Sequence, residues 1–309
     1  MSTRARRPAR RVVAAPDKFR GTATAPDVAR AVARAARSAG WACDEVPMAD
    51  GGEGTLAAFG GPNRTTVVTG PLGDAVSAGW RLDRATAVIE TAAASGLALA
   101  GGPERNDAVA AATTGTGELI MAAVEAGARK VIVAVGGSAT TDGGLGAIRA
   151  LHLPRLRGVK LVVACDVSTR FVDAAEVFAP QKGASPSQVE LLRRRLERLV
   201  EVYRDEHGID VSGLEGSGAA GGLAGGLASI GATLESGFDL VAEERGLAEA
   251  LEDADLVVTG EGFVDDESFH GKVVGGVVEM AETDGVASFV VAGDFFDGTE
   301  ERVEGVSLV

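Results

Sequence analysis

The sequence predicts an α/β fold built mainly on parallel strands. Three observations carry that expectation. Short β-branched runs recur along the 309 residues, at 12–15, 66–69, 87–90, 131–135, 160–164, 256–259 and 288–292. Several are apolar on both faces, as strands buried in a parallel sheet are. Segments with helical spacing lie between them. Aromatic residues are only 4% of the chain while apolar residues reach 46%, so the core is one of Val, Leu, Ile and Ala. That is the usual filling of sheets covered by helices.

The first helix is marked by Thr24 and Asp27, which can form a capping box with Pro26 in the first turn. Val28, Ala31, Val32 and Ala35 then fall on one face. Ser185, Pro186 and Gln188 open a longer helix in the same way. Its apolar positions Val189, Leu192, Leu196, Leu199 and Tyr203 keep helical spacing, which leaves Arg193, Arg194, Arg195 and Arg198 as a solvated face. No internal repeat or long linker interrupts this alternation.

The net charge is −14, and the only basic cluster is Arg4, Arg6, Arg7, Arg10 and Arg11 at the start of the chain. That cluster reads as a tail, and no basic face suits a general nucleic-acid binder. No signal-peptide core follows it, since residues 12–15 run at once into Pro16 and Asp17. The most apolar run, 92–100, is too short to span a membrane. Cys43 and Cys165 are the only cysteines, which fits a reducing compartment better than a disulfide scaffold. A cytoplasmic protein with no nucleic-acid or membrane partner is expected.

In parallel sheets ligands bind at loops off the carboxyl ends of strands, and four expected strands end in loops of one kind. The run 12–15 leads into Pro16, Asp17 and Lys18. A short run at 45–48 leads into Asp50, Gly51, Gly52, Glu53 and Gly54. The run 131–135 leads into Gly136, Gly137, Ser138, Ala139, Thr140, Thr141, Asp142, Gly143 and Gly144. The run 256–259 leads into Gly260, Glu261 and Gly262, with Asp265, Gly271 and Lys272 beyond. Glycines let the backbone approach an anion and present successive N–H groups to it. Where a helix follows, its amino end adds positive potential. Carboxylates among those glycines would repel phosphate alone. They make sense if Mg²⁺ sits between carboxylate and phosphate, or if one carboxylate takes a proton from an attacking hydroxyl. Lysines on the same loops would offset the charge of a transferring phosphoryl group.

Simpler motifs fail. Gly271-Lys272 is followed by Val273, and Asp266 stands where a Walker A loop needs glycine. The run from Gly216 to Gly221 matches the dinucleotide fingerprint literally, which keeps a dinucleotide oxidoreductase as an outside reading. The polar segment before it contains Gly213 and is no buried strand, so a turn into a tightly packed helix is expected. His152, His207 and His270 have no metal-ligand spacing. Of the three, His270 sits beside Gly271-Lys272 and is the one placed to touch a ligand. No Gly-x-Ser-x-Gly elbow is present.

Taken in order, these segments resemble the glycerate kinase family, the type found in bacterial glyoxylate and glucarate metabolism. The matching stretches begin with Ala15-Pro16-Asp17-Lys18-Phe19-Arg20-Gly21 and Met48-Ala49-Asp50-Gly51-Gly52-Glu53-Gly54-Thr55. They continue through Thr69-Gly70-Pro71-Leu72-Gly73, Gly115-Thr116-Gly117-Glu118-Leu119-Ile120 and residues 136–144. Ala164-Cys165-Asp166-Val167, Phe178-Ala179-Pro180-Gln181-Lys182-Gly183-Ala184 and Gly218-Ala219-Ala220-Gly221-Gly222 follow. Thr259-Gly260-Glu261-Gly262, Asp265 and Gly271-Lys272 close the series, which is collinear over nearly the whole chain.

The resemblance implies a flavodoxin-like parallel-sheet domain from residues 1–66 and 255–309, with an inserted α/β domain, 67–254, carrying the central loops. It implies an ATP-dependent kinase, with D-glycerate as the small-molecule substrate and 2- or 3-phosphoglycerate as product. Lys18, Asp50, Asp166, Asp265 and Lys272 are then the catalytic candidates, with Asp166 and Asp265 as candidate Mg²⁺ ligands. Asp17, Gly51, Gly52, Glu53, Gly136, Gly137, Ser138, Thr140, Gly143, Gly144, Gly260, Glu261 and Gly262 are candidates for substrate or phosphate contact.

Three departures from the family pattern stand out. Members carry a much longer segment where residues 151–159 bridge here, and they continue past the strand matching 288–292. A sheet edge left open by these changes would suit a homodimer. The family's Gly-Glu-Gly-Arg becomes Gly-Glu-Gly-Phe at Phe263, one cation fewer. A second reading follows, a weakened or inactive member that still binds nucleotide or a small hydroxy acid.

Overall fold

The structure is a computed structural model that describes residues 10–269, 271–296 and 298–308. Arg4, Arg6, Arg7 and His270 lie outside the described residues. In chain order the strands are β1 (Arg11–Ala14), β2 (Ala42–Glu45), β3 (Arg64–Thr69), β4 (Ala75–Asp83), β5 (Thr86–Glu90) and β6 (Lys130–Ala134). They continue with β7 (Lys160–Cys165), β8 (Thr233–Ser236), β9 (Leu256–Val264), β10 (Ala287–Phe295) and β11 (Gly305–Ser307). The chain divides into two compact units. The first takes in the chain up to Asp50, residues Ala57–Phe59 and the chain from Phe238 onward; the second holds Gly51–Leu56 and Gly60–Gly237.

The first unit is a five-stranded sheet ordered β11-β10-β9-β1-β2, with every neighbouring pair parallel. Numbered within the unit, that order is 2-1-3-4-5, the flavodoxin-like arrangement. Its order reverses between β1 and β9, so the loops after these two strands flank the crevice where such sheets take ligands. Val13, Val257 and Val277 pack with Phe238 and Leu251 in its core. The helix Ala25–Ser38 forms with the expected capping box, Thr24 Oγ1 accepting from the Asp27 amide. Its buried stripe is Ala25, Ala29, Ala33 and Ala36, one position round from the expected Val28, Ala31, Val32 and Ala35. Small alanines face the sheet, while the bulkier Val28 and Val32 sit half-buried at the border of the stripe.

The glycines at 260–262 were expected to open a loop, yet β9 runs on to Val264. β10 pairs with it as far as Phe295 opposite Val264. Gly260 belongs to that strand because a Cβ there would stand 1.8 Å from the Val291 carbonyl oxygen. The expected strand at 45–48 is displaced too. β2 is Ala42–Glu45, and Val46 and Met48 follow it as irregular chain whose amides donate to Ala14 O and Pro16 O.

The second unit is a six-stranded sheet ordered β3-β4-β5-β6-β7-β8. Strands β5 to β8 are parallel, whereas β3, β4 and β5 pair antiparallel. β4, half-exposed and alternating, has no long apolar run and gave no sequence signal. Ile89, Val131, Val133 and Val163 form the centre of this core with Leu119 and Leu223. The helix Pro186–His207 has its capping box and buries Leu192, Leu196, Leu199, Val200 and Tyr203. Arg193 and Arg198 on its other face pair with Glu190, Glu197 and Glu201. Residues 212–218 are irregular turns feeding the fully buried segment Ala219–Ser229, which is helical on the far side of a left-handed kink at Ala220, Gly221 and Gly222, so no strand precedes Gly216. Among the described residues no helix is long and apolar enough to cross a membrane. Cys43 and Cys165 are free thiols.

Candidate active site

Two cavities gather the loop residues, one in each unit. The first is a polar pocket of about 160 Å³ at the carboxyl ends of β1 and β9. Asp17, Lys18, Asp50, Glu261, Asp265 and Lys272 all line it, with Arg20, Gly262, Phe263 and Ser268. The turn after β1 is fixed to the neighbouring strand, the Asp17 amide donating to Gly260 O at 2.9 Å. Lys18 then points its ammonium between two carboxylates, 3.6 Å from Asp17 Oδ2 and 3.7 Å from Asp50 Oδ1.

Asp17 is only 5% exposed. Burial pushes its carboxyl up to about 7; the Lys18 ammonium opposes this, and Asp50 and Glu261 add to it. Burial works against the Lys18 charge, but Asp17 and Asp50 outweigh it and raise its pKa. Burial likewise raises Glu261 against the opposing pull of Ser268 and Lys272, with Asp50 and Asp265 adding to the rise, and its buried Oε1 has no hydrogen-bond partner among the described residues. Asp265 is more constrained. Its Oδ1 accepts from both the amide and the hydroxyl of Ser268, at 3.0 and 3.2 Å, closing the short turn after β9. Lys272 reaches Glu267 at 3.5 Å and is otherwise open to the pocket. Phe263 is 58% exposed at the rim and packs on Phe296 with ring centres 5.7 Å apart.

The second cavity, about 340 Å³, is floored by Gly136, Gly137 and Ser138 beyond β6. Asp166 and Val167 border it from the end of β7, and Gly51 and Ala220 also line it. Leu97, Val135 and Phe178 make part of its wall apolar. Gly136 packs so closely on Gly52 that a Cβ would lie 2.7 Å from the Gly52 Cα. Gly52 and Glu53 support the loop rather than line the cavity. The rest of that loop turns inward. Thr140 is buried, Gly143 is enclosed by Leu199 and Phe171, and its carbonyl accepts from Tyr203. Gly144 caps the helix Leu145–Ala150. Asp142 spends its oxygens on Thr113, Gly144 and Gly146.

One lysine outside the sequence candidates enters this cavity. Lys182, 4% exposed, donates to Ser138 Oγ at 2.9 Å and to Thr140 O at 2.6 Å. Its sequence signal was slight, a single Lys before Gly183 in a run with no strand ahead of it. Among the described residues no group of three or more His, Cys, Asp or Glu is arranged to hold a metal ion.

This arrangement can be set beside known proteins. The model of the glycerate kinase family matches residues 12–153 and again 152–308. Glycerate 2-kinase of Escherichia coli (strain K12) is 39% identical, over 88% of this chain and 82% of that protein. Glycerate kinase of Bacillus subtilis (strain 168) is also 39% identical, over 92% and 85%. A crystal structure from Salmonella typhimurium LT2, provisionally assigned there as glycerate kinase 2, superposes with a TM-score of 0.85 at 36% identity. It covers 92% of this chain and 87% of its own.

The alignments with these relatives also contain gaps in this chain. That with the E. coli protein spans 313 positions but draws on 88% of 309 residues, about 272, which leaves about 41 positions without a counterpart here. The family model breaks at 152–153, where the short turn Leu153–Leu156 now links the helix Leu145–Ala150 to β7. Matches running from residue 12 to residue 308, with relatives this similar over most of both chains, show that the chain belongs to the glycerate kinase family.

Proposed function

We propose that the protein is an ATP-dependent glycerate kinase, with D-glycerate in the first cavity and the nucleotide in the second. One observation carries the reading: at the crevice of a flavodoxin-like sheet, Lys18 lies between Asp17 and Asp50 in a small, polar pocket. The small pocket, about 160 Å³, suits a three-carbon hydroxy acid. Lys18, Lys272 and Arg20 supply cations for its carboxylate, and a carboxyl raised to about 7 is well matched to accept a hydroxyl proton near neutral pH. We assign that base role to Asp17, and to Asp50 the holding of Lys18. The second cavity is roomier and partly apolar, which suits a nucleoside, with Gly136, Gly137 and Ser138 as the phosphate cradle.

Mg²⁺ is implied by phosphoryl transfer from ATP. It takes one or two carboxylates when phosphate oxygens complete its shell, and the second cavity offers hard oxygens in the Asp166 carboxylate and the Ser138 hydroxyl. These residues fit the ion. Asp265, whose carboxylate is engaged by Ser268, is the weaker ligand of the two acids. When bound, Mg²⁺ would offset phosphate charge during transfer. The protein's own part is positioning: Lys18 and Lys272 fix the acid, Asp17 receives the proton, and the glycine loop holds phosphate through N–H groups.

A coupled ADP-release assay with ATP, Mg²⁺ and D-glycerate tests the reading. Glycerate-dependent ADP formation is expected. Binding of ATP and glycerate without turnover would instead support the second reading, which the exposed Phe263 at the rim motivates. The position of phosphate on the product can be read directly by ³¹P NMR; a 2-phosphate would agree with the name of the E. coli relative.

A further inference from the structure

The second cavity contains a buried ammonium that, among the described residues, no carboxylate of its walls pairs with, its one aromatic neighbour being the Phe178 ring with its centre 5.9 Å away. Lys182 is buried, and among the described residues no carboxylate forms an ion pair with its ammonium. Among the described residues the only acid acting on it is Asp142, which forms no ion pair with it and whose carboxylate is already satisfied by Thr113, Gly144 and Gly146. An ammonium has three protons to donate. Ser138 Oγ and Thr140 O take two of them. A buried cation without a counter-ion is costly, and burial accordingly lowers the Lys182 pKa to about 7.

The ammonium is not needed as a strut. Asn106 already ties the two backbones together, its Nδ2 donating to Ala139 O at 3.0 Å and to Lys182 O at 2.9 Å. A second feature of the same cavity points to a ligand. Ala220, on its wall, is held at φ 52°, one of two non-glycine residues with positive φ among those described. Such strain gathers where a binding surface is built.

We propose that Lys182 is the buried cation of the phosphate site, binding the terminal phosphate oxygens of ATP with the third proton of its ammonium. The proposal rests on the reading of this cavity as the nucleotide site. Ser138 and Thr140 hold the ammonium in place when the site is empty, and an arriving phosphate supplies the missing negative charge. Lysine acts here as a compact point charge beside a backbone cradle, a common division of labour at phosphates.

The test is calorimetric binding to the full-length wild type, Lys182→Met and Lys182→Arg, with AMP-PNP plus Mg²⁺, with AMP, and with D-glycerate. Methionine keeps the length of the side chain and removes the charge. Expected is at least a 10-fold loss of AMP-PNP affinity in Lys182→Met, with AMP and D-glycerate changed less than 3-fold and a melting temperature no lower than wild type. Lys182→Arg should recover part of the AMP-PNP affinity. Unchanged AMP-PNP binding in Lys182→Met would overturn the proposal, and so would a loss confined to D-glycerate, which would make the anion a carboxylate. Equal losses for AMP and AMP-PNP would show a structural role and overturn it too. If wild type binds D-glycerate but no AMP-PNP, the nucleotide reading itself falls and takes this proposal with it.

Discussion

Lys18 Nζ stands 3.7 Å from Asp50 Oδ1 in a pocket closed enough that both side chains are largely buried. Asp50 therefore helps keep the lysine charged and aimed, and its loss should be felt in the chemistry more than in the fold. Asp50→Asn preserves shape and removes the charge. Turnover in the coupled assay should fall about 100- to 1,000-fold, the size of effect seen when one preorganised electrostatic group is removed. The melting temperature should stay close to that of wild type. Full activity in Asp50→Asn would remove it from the mechanism.

Asp17 makes the pocket sensitive to pH. As the base it must be ionised, so kcat/KM should rise as pH increases through about 7 and then level off. Stability should run the other way. The folded carboxyl titrates near 7 and the unfolded one near 3.8, so between those values the folded state binds more protons and loses stability as pH rises. The amount is on the order of 4 kcal/mol at most, for three pH units. Asp17→Asn, with nothing to ionise, should lose activity at every pH yet gain more in melting temperature at pH 8 than at pH 5.5. An acidic limb that survives in this variant would assign the titration to another group.

Much of this site was legible because its signals are local. Capping boxes at Thr24 and Ser185 need only residues three apart, and both formed as read. The parallel strands showed as apolar runs, whereas β4, half-exposed and antiparallel, did not. Asp50 and Lys272 were marked by adjoining glycines and Lys18 by its place in the loop after the first strand run, and the fold brings all three to one pocket. The same signal misled at Gly260, where glycine serves close strand packing, and at Gly143, where it fits against Leu199 and Phe171. Lys182 was hidden for the opposite reason. Its significance comes from burial against Ser138 and Thr140, which lie more than forty residues earlier in the chain.

Phe263 offers a gain-of-function test. It is exposed at the rim of the first cavity, which Arg20 also lines. A cation there would add attraction for an anionic substrate while exchanging a largely exposed ring that packs on Phe296. Phe263→Arg should raise kcat/KM for D-glycerate by roughly 3- to 10-fold at low salt, with the gain shrinking as ionic strength screens the charge. A gain that is independent of salt would mean that the arginine acts by some route other than its field.

Gly221 ties the strained wall of the second cavity to the phosphate loop. It has φ 68°, and a Cβ there would meet Thr140 O at 2.0 Å and Thr141 Cα at 2.7 Å, both backbone atoms that cannot swing aside. Gly127 provides the control. Its φ is also positive, at 100°, but nothing lies within 4 Å of a Cβ built on it. Gly127→Ala should therefore cost only the conformational penalty, about 1–2 kcal/mol. Gly221→Ala adds a steric clash on top, for a total of about 3–5 kcal/mol. Because Thr140 O also accepts from Lys182, relief of the clash must move a group that holds the ammonium. Gly221→Ala should thus melt several degrees below Gly127→Ala and bind AMP-PNP more weakly, while Gly127→Ala binds it as wild type does. Equal melting temperatures for the two variants would show that the close approach at Thr140 is not a constraint on the folded protein.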